Sequence, residues 1–272
     1  MKKTKLFVGI VSVCSLFLAG EIVSLAAVVD NTNTNGEINF TPNSDPNEPG
    51  EIITPNEDDE PNEVIELPGG GSNTKGPLRI QFVPNLKFGS STNMTAGEVK
   101  EQLVNVIPYN IKGQAPAGQK IAPFVQVTDL RGNTGDAASW ELNVKASAFT
   151  ADLPGGGTDV LANVKLLLPG STVTMDYGDT AKAKTLVDGQ SVGAAILTDN
   201  VSATSVLKTK KDQSTSGYQV SNVFFNNYVK DNFTQYTNDK STGVSFYKPA
   251  GQAPIKDAKY ISVLTWTLID SI

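Results

Sequence analysis

The chain has no histidine, and its 272 residues include one cysteine, Cys14. A lone cysteine cannot close a disulfide within the chain, so the fold must rest on packing and hydrogen bonds. Without histidine the commonest general base is missing, and with it the Ser-His-Asp and Cys-His hydrolase constellations. The usual zinc ligand sets are missing as well. Paired carboxylates alone could still serve a glycosidase. The one tempting pair is in Asp176-Tyr177-Gly178-Asp179, a spacing that ordinary turns produce more often. Gly155-Gly156-Gly157 does not match a phosphate-binding loop. The composition therefore points away from an enzyme, and no metal or other cofactor is expected.

Charge divides the chain. Residues 30–76 hold eleven acids against Lys75, whereas residues 77–272 carry a net charge of only +2. The acidity belongs to a tail, and nothing in the balance suggests a nucleic-acid partner. Lys2, Lys3 and Lys5 precede an apolar run from Leu6 to Leu18, and Ser24-Leu25-Ala26 offers small residues for cleavage before Ala27. This pattern predicts a secretory signal peptide over 1–26, with a run too short for a membrane span. Cys14 lies inside that leader, far from the position that lipidation would need. Leu67-Pro68, Leu153-Pro154 and Leu168-Pro169 all fail the sortase pattern, so any attachment to a cell is expected to be noncovalent. Residues 27–76, rich in Pro, Asn, Glu, Asp and Gly, read as a disordered acidic linker that cannot bury enough surface to fold. Within it Thr54-Pro55-Asn56-Glu57 loosely echoes Thr41-Pro42-Asn43-Ser44.

The folded part is expected over 77–272. Leu78, Ile80 and Phe82 alternate with Arg79 and Gln81, which predicts a strand. Phe124–Asp129 predicts another, and Arg131-Gly132-Asn133-Thr134-Gly135 is turn chemistry. From Ser139 to Phe149 apolar and polar residues alternate most clearly, and 124–129 with 139–149 read as a hairpin. Further strands are predicted at 160–168, 172–175, 191–197 and 243–247. Residues 99–107 fit a helix or a strand, and Ser221–Tyr236 has the spacing of a short helix. The sum is an all-β domain, an antiparallel sandwich or barrel with room for one short helix. Lys259–Ile269 is apolar on both faces, which predicts a strand covered on both sides with Trp266 and Leu268 mostly buried.

The two tryptophans open similar phrases, Trp140-Glu141-Leu142 and Trp266-Thr267-Leu268. In a strand each phrase sets a large ring beside a leucine on one face. Such pairs serve most simply as core; burying one tryptophan is worth roughly 4–6 kcal/mol as an upper estimate. The alternative is an exposed shelf for sugar rings or a partner. A second cluster holds eight aromatics between Tyr218 and Tyr247, interleaved with amides. Phe224, Tyr228 and Phe233 are its candidate glycan contacts, and a satellite core is the competing reading.

Three phrases together resemble the WxL-domain cell-surface proteins of Gram-positive bacteria, in their small single-domain form. They are Leu78–Gly89; Val127-Thr128-Asp129-Leu130-Arg131-Gly132 followed by Trp140-Glu141-Leu142-Asn143-Val144; and Tyr260 through Thr265-Trp266-Thr267-Leu268. Trp140, Leu142, Trp266 and Leu268 match the motif itself, with Asp129, Arg131 and Gly132 in support. Ser139 stands where glycine is expected before the first tryptophan. The resemblance implies noncovalent binding to the cell wall through peptidoglycan. It also implies association with a membrane-anchored WxL-interacting protein and with other WxL surface proteins, and at family level a role in surface complexes, adhesion or the use of external polymers. Host surface components are a further candidate partner, through the aromatic cluster.

Overall fold

A computed structural model describes residue 38 and residues 50–56, 62–91, 95–132, 138–168, 170–177, 180–230 and 232–270. The leader, with Cys14, lies outside the described residues. The chain divides into two units, 1–40 and 41–272; of the first only Ile38 is described.

Alternating and β-branched sequence gives eighteen short strands among the described residues of the second unit. They are β1 (Ile65–Glu66), β2 (Gly71–Ser72), β3 (Leu78–Pro84), β4 (Val99–Asn105), β5 (Ile107–Ile111), β6 (Gln119–Ile121), β7 (Phe124–Asp129), β8 (Trp140–Ala146) and β9 (Phe149–Asp152). Then come β10 (Thr158–Leu161), β11 (Lys165–Leu168), β12 (Thr172–Met175), helix α1 (Thr180–Leu186), β13 (Val187–Gly189), β14 (Ala194–Leu197), β15 (Thr204–Thr209), β16 (Tyr218–Val223), β17 (Lys240–Lys248) and β18 (Leu264–Asp270). The predicted all-β class holds, and every named pairing is antiparallel. Residues 99–107 settle as strand. The helix falls at 180–186. The 221–236 segment instead continues β16 and reaches a short 3-10 turn at Phe233–Gln235.

Three larger sheets run β12-β16-β7-β3-β2, β13-β15-β8-β18 and β14-β11-β17-β4. Their inner faces share one apolar core that includes Val125, Val127, Trp140, Leu142, Val144, Leu166, Leu168 and Ile196. The expected hairpin of β7 and β8 does not form. The chain leaves β7 and enters the neighbouring sheet, so the two strands face each other across the core. A smaller core gathers Phe82, Tyr109, Phe124 and Tyr228. Gly243 lies in a bulged stretch of β17 where a Cβ would meet the Phe224 carbonyl oxygen at 1.2 Å, so only glycine fits there.

The acidic segment is not an open linker throughout. Residues 50–56 lie over the second face of the β16-β7-β3 sheet, held by three buried glutamines. Gln126 Nε2 donates to the Ile53 carbonyl (3.0 Å) and its Oε1 accepts from the Ile53 N–H (3.2 Å). Gln219 Nε2 donates to the Glu51 carbonyl (3.0 Å), and Gln81 Nε2 to the Gly50 carbonyl. Thr54 then exchanges backbone and side-chain bonds with Asn62 and Glu63, and Lys112–Glu51 and Lys230–Glu63 ion pairs fasten the strap. Proline-rich, charged sequence can order when a sheet supplies its hydrogen bonds. Composition alone does not contain that information.

β18 is also unlike its prediction. It ends its sheet, pairs only with β8 among the described residues, and leaves Thr265, Thr267 and Ile269 exposed. Leu264, Trp266 and Leu268 turn inward and are half-buried. Two apolar faces signalled burial on both sides, but one of them meets solvent.

Candidate functional site

The motif residues come together on β7, β8 and β18. Antiparallel register sets Leu142 opposite Leu268, Val144 opposite Trp266 and Trp140 opposite Asp270. The two Trp-x-Leu phrases, more than a hundred residues apart, are thus cross-strand neighbours on the inner face. Trp140 and Leu142 are fully buried; Trp266 and Leu268 close the same layer at its rim.

A polar network braces this layer from the end of β7. Asp129 is fully buried and takes a two-pronged contact from Arg131, Nε at 3.0 Å and Nη2 at 2.9 Å. Arg131 also donates from Nη2 to the Ala138 carbonyl (2.7 Å) and from Nη1 to Asp270, at the end of β18. Thr215 Oγ1 links the other side, accepting from Trp140 Nε1 at 2.7 Å and lying 3.3 Å from the second Asp129 oxygen. Thr209 Oγ1 meets both the N–H and the carbonyl of Trp140. A planar guanidinium is required here, because one group must bind a carboxylate by two donors and still reach a carbonyl and a second acid. Hydrogen bonding to Asp129 raises the Arg131 pKa above its ordinary value, against the opposing effect of burial.

Gly132 turns the chain away with φ 73°, and its N–H donates to Ser216 Oγ (2.7 Å). That dihedral suits glycine and explains the residue after Arg131. Ser139 carries no positive φ, so its position asks for nothing that only glycine supplies.

The layer that joins Asp-x-Arg-Gly to both Trp-x-Leu phrases is the feature around which this fold closes. A family model for the WxL domain, described as surface cell wall-binding, matches residues 27–271. The chain belongs to the WxL family. No curated protein and no solved structure matches it. Membership makes it a cell-surface, wall-binding protein, and among the described residues no helix is long and apolar enough to cross a membrane.

In this WxL domain Trp140 is sealed in the core, and Trp266 is half-buried with its ring packed against the same core. Phe224 and Tyr228 are likewise buried, at 0% and 1% exposure, and cannot meet a glycan from outside. The Phe233 side chain lies outside the described residues. The satellite-core reading describes Tyr228, which packs in the smaller core, while Phe224 packs in the main one. Of the Asp176–Asp179 pair, Gly178 and Asp179 lie outside the described residues. Asp176 accepts the Gln219 N–H at 2.6 Å, and burial pushes its pKa upward.

The sequence reading missed Thr209, Thr215 and Asp270. Asp270 had a signal, because alternation from Trp266 through Leu268 places it on the same face. Isolated threonines carry none.

Proposed function

We propose that this protein is secreted and attaches noncovalently to peptidoglycan, acting as a binding module and not as an enzyme. The observation that carries the reading is the wall-binding family match over nearly the whole chain. The sequence agrees: it has a leader-like start and no histidine-based catalytic set. Since the motif residues are spent on the core, the contact surface lies on outer faces and loops that the motif holds in place. The small positive charge of residues 77–272 favours an anionic wall weakly and is screened by salt. Sedimentation of the purified protein with purified peptidoglycan tests this. Co-sedimentation at low and moderate salt is expected; a protein left wholly in the supernatant at both would overturn the reading.

A second reading is a protein-interaction subunit held by a membrane-anchored WxL-interacting partner. The exposed apolar row of Ile261, Val263 and Ile269 favours it, because such a row suits a protein contact better than a sugar. Deleting the partner should then release the protein into the medium, whereas continued wall attachment would exclude it.

A further inference from the structure

Among the described residues the outer edge of β18 is unpaired. The direction of its hydrogen-bonding groups follows from β8. Trp140 and Ala146 turn their backbone groups toward the β15 side, where they meet Thr209 Oγ1 and the Asn200 N–H. The odd-numbered residues of β8 therefore face β18. Their partners are Thr265, Thr267 and Ile269. The N–H and carbonyl groups of Leu264, Trp266 and Leu268 must then point outward, away from β8. No described group hydrogen-bonds them there.

Edge strands are usually blunted by charge, proline, bulges or brevity. The other sheet edges here follow that rule. β2, β12, β13 and β14 have four residues or fewer, and β4 exposes Lys100 and Glu101. β18 has seven residues and no charge before Asp270, whose carboxylate is paired with Arg131. Its solvent row continues upstream through Ile261 (55% exposed) and Val263 (65%) to Thr265, Thr267 and Ile269 (39%). There is no proline, lysine or glycine between Ile261 and Ile269.

We propose that this edge pairs with the β18 edge of a second copy, antiparallel, to make one continuous sheet across a two-fold axis. Only extended backbone can satisfy alternating donors and acceptors at strand spacing. The occupant is a second copy because the strand is complementary to itself. In the register centred on Trp266, Leu264 exchanges bonds with the partner's Leu268. The outer row then sets Val263 against the partner's Ile269 and Thr265 against its Thr267. Each is a favourable β-branched pair, and no like charges oppose one another. A contact of seven residues a side is far below the roughly 20–30 of a stable interface, so the dimer forms only as concentration rises. On a wall, where copies are crowded, pairing would join two attachment modules and lengthen residence through avidity; that benefit rests on the wall-binding reading, but the pairing does not.

The test needs no wall. Mass measured by light scattering on the purified protein should rise from monomer toward dimer between ~1 µM and ~1 mM. Two double variants, Thr265→Glu with Thr267→Glu and Thr265→Lys with Thr267→Lys, alter exposed side chains only. Each alone should stay folded and monomeric, the lysine variant melting somewhat lower because Thr265 faces Lys145 of β8, and the two mixed should pair, because opposite charges now meet. A monomer at every wild-type concentration overturns the proposal and leaves the edge to a strand from a different protein. So does a dimer that persists in either variant. Two monomeric variants that fail to pair with each other would overturn it as well.

Discussion

Leu142 of β8 stands directly opposite Leu268 of β18, so the leucines of two distant Trp-x-Leu phrases meet across one strand pair. The tryptophans flank this contact diagonally, Trp140 at the buried end and Trp266 at the rim. The motif is therefore one packing unit split between two parts of the chain, and its halves are unequal in burial.

That inequality separates the two tryptophans. Trp140→Ala removes a sealed ring and its bond to Thr215, and should cost about 3–5 kcal/mol or prevent folding. Trp266→Ala removes a half-buried ring at an edge and should cost roughly half as much, leaving a folded domain. Urea denaturation of both variants is the measurement. Equal losses would show that the rim position is as structural as the centre.

Arg131 should be irreplaceable by lysine. Arg131→Ala leaves the buried Asp129 carboxylate without its charge partner, a loss of about 3–5 kcal/mol. Arg131→Lys keeps the charge but not the fork, so it should recover only part of that. Asp270→Asn touches the exposed arm of the same network and should change stability by about 0–1 kcal/mol. If Arg131→Lys matches the wild type in denaturation, the planar geometry is unnecessary.

The strap over residues 50–56 depends on amides beneath it. Gln126→Ala deletes the bonds to both backbone groups of Ile53 and the one to Ser221, and should cost about 1–3 kcal/mol. Proteolysis should then cut near the strap well before the sheets, and hydrogen exchange at Ile53 should accelerate. Unchanged protection of Ile53 would mean that the ion pairs at Glu51 and Glu63 suffice.

Asp176 sets a pH dependence. Burial raises its folded pKa, so the folded state binds the proton more tightly than the unfolded chain does. The associated stability is full below the unfolded value of about 3.9 and is lost as pH rises through the folded value. Asp176→Asn keeps an acceptor for the Gln219 N–H but has no charge to desolvate. It should flatten the stability profile at pH above the unfolded value and be at least as stable as wild type once Asp176 is ionised in the folded state. A variant that retains the wild-type slope there would assign the effect to another group.

Much of the fold could be read from local pattern. Alternation at Leu78–Phe82 and Trp140–Ala146 follows from the two-residue period of strands, and β3 and β8 lie where it predicts. The turn after Asp129 was legible because Gly132 supplies a left-handed dihedral. Partnership was not legible. Strands β7 and β8 look like a hairpin in sequence because they are separated only by turn residues, yet the chain crosses between sheets there. The glutamines under the strap look like ordinary polar positions, because nothing local tells that Gly50, Glu51 and Ile53 will need their amides. Phe224 and Tyr228 read equally well as shelf or core, because aromatic content carries no direction.

By itself the sequence determined the all-β class, the strand faces and, through Asp-x-Arg-Gly and two Trp-x-Leu phrases, the family. These depend on backbone period, turn dihedrals and residue chemistry, all local properties. Only the tertiary structure decided that the phrases are neighbours, that Arg131 ties both to Asp129 and Asp270, and that β18 ends its sheet with one side unpaired among the described residues. Those facts depend on which strand sits beside which, and pairing is settled by contacts between residues far apart in the chain.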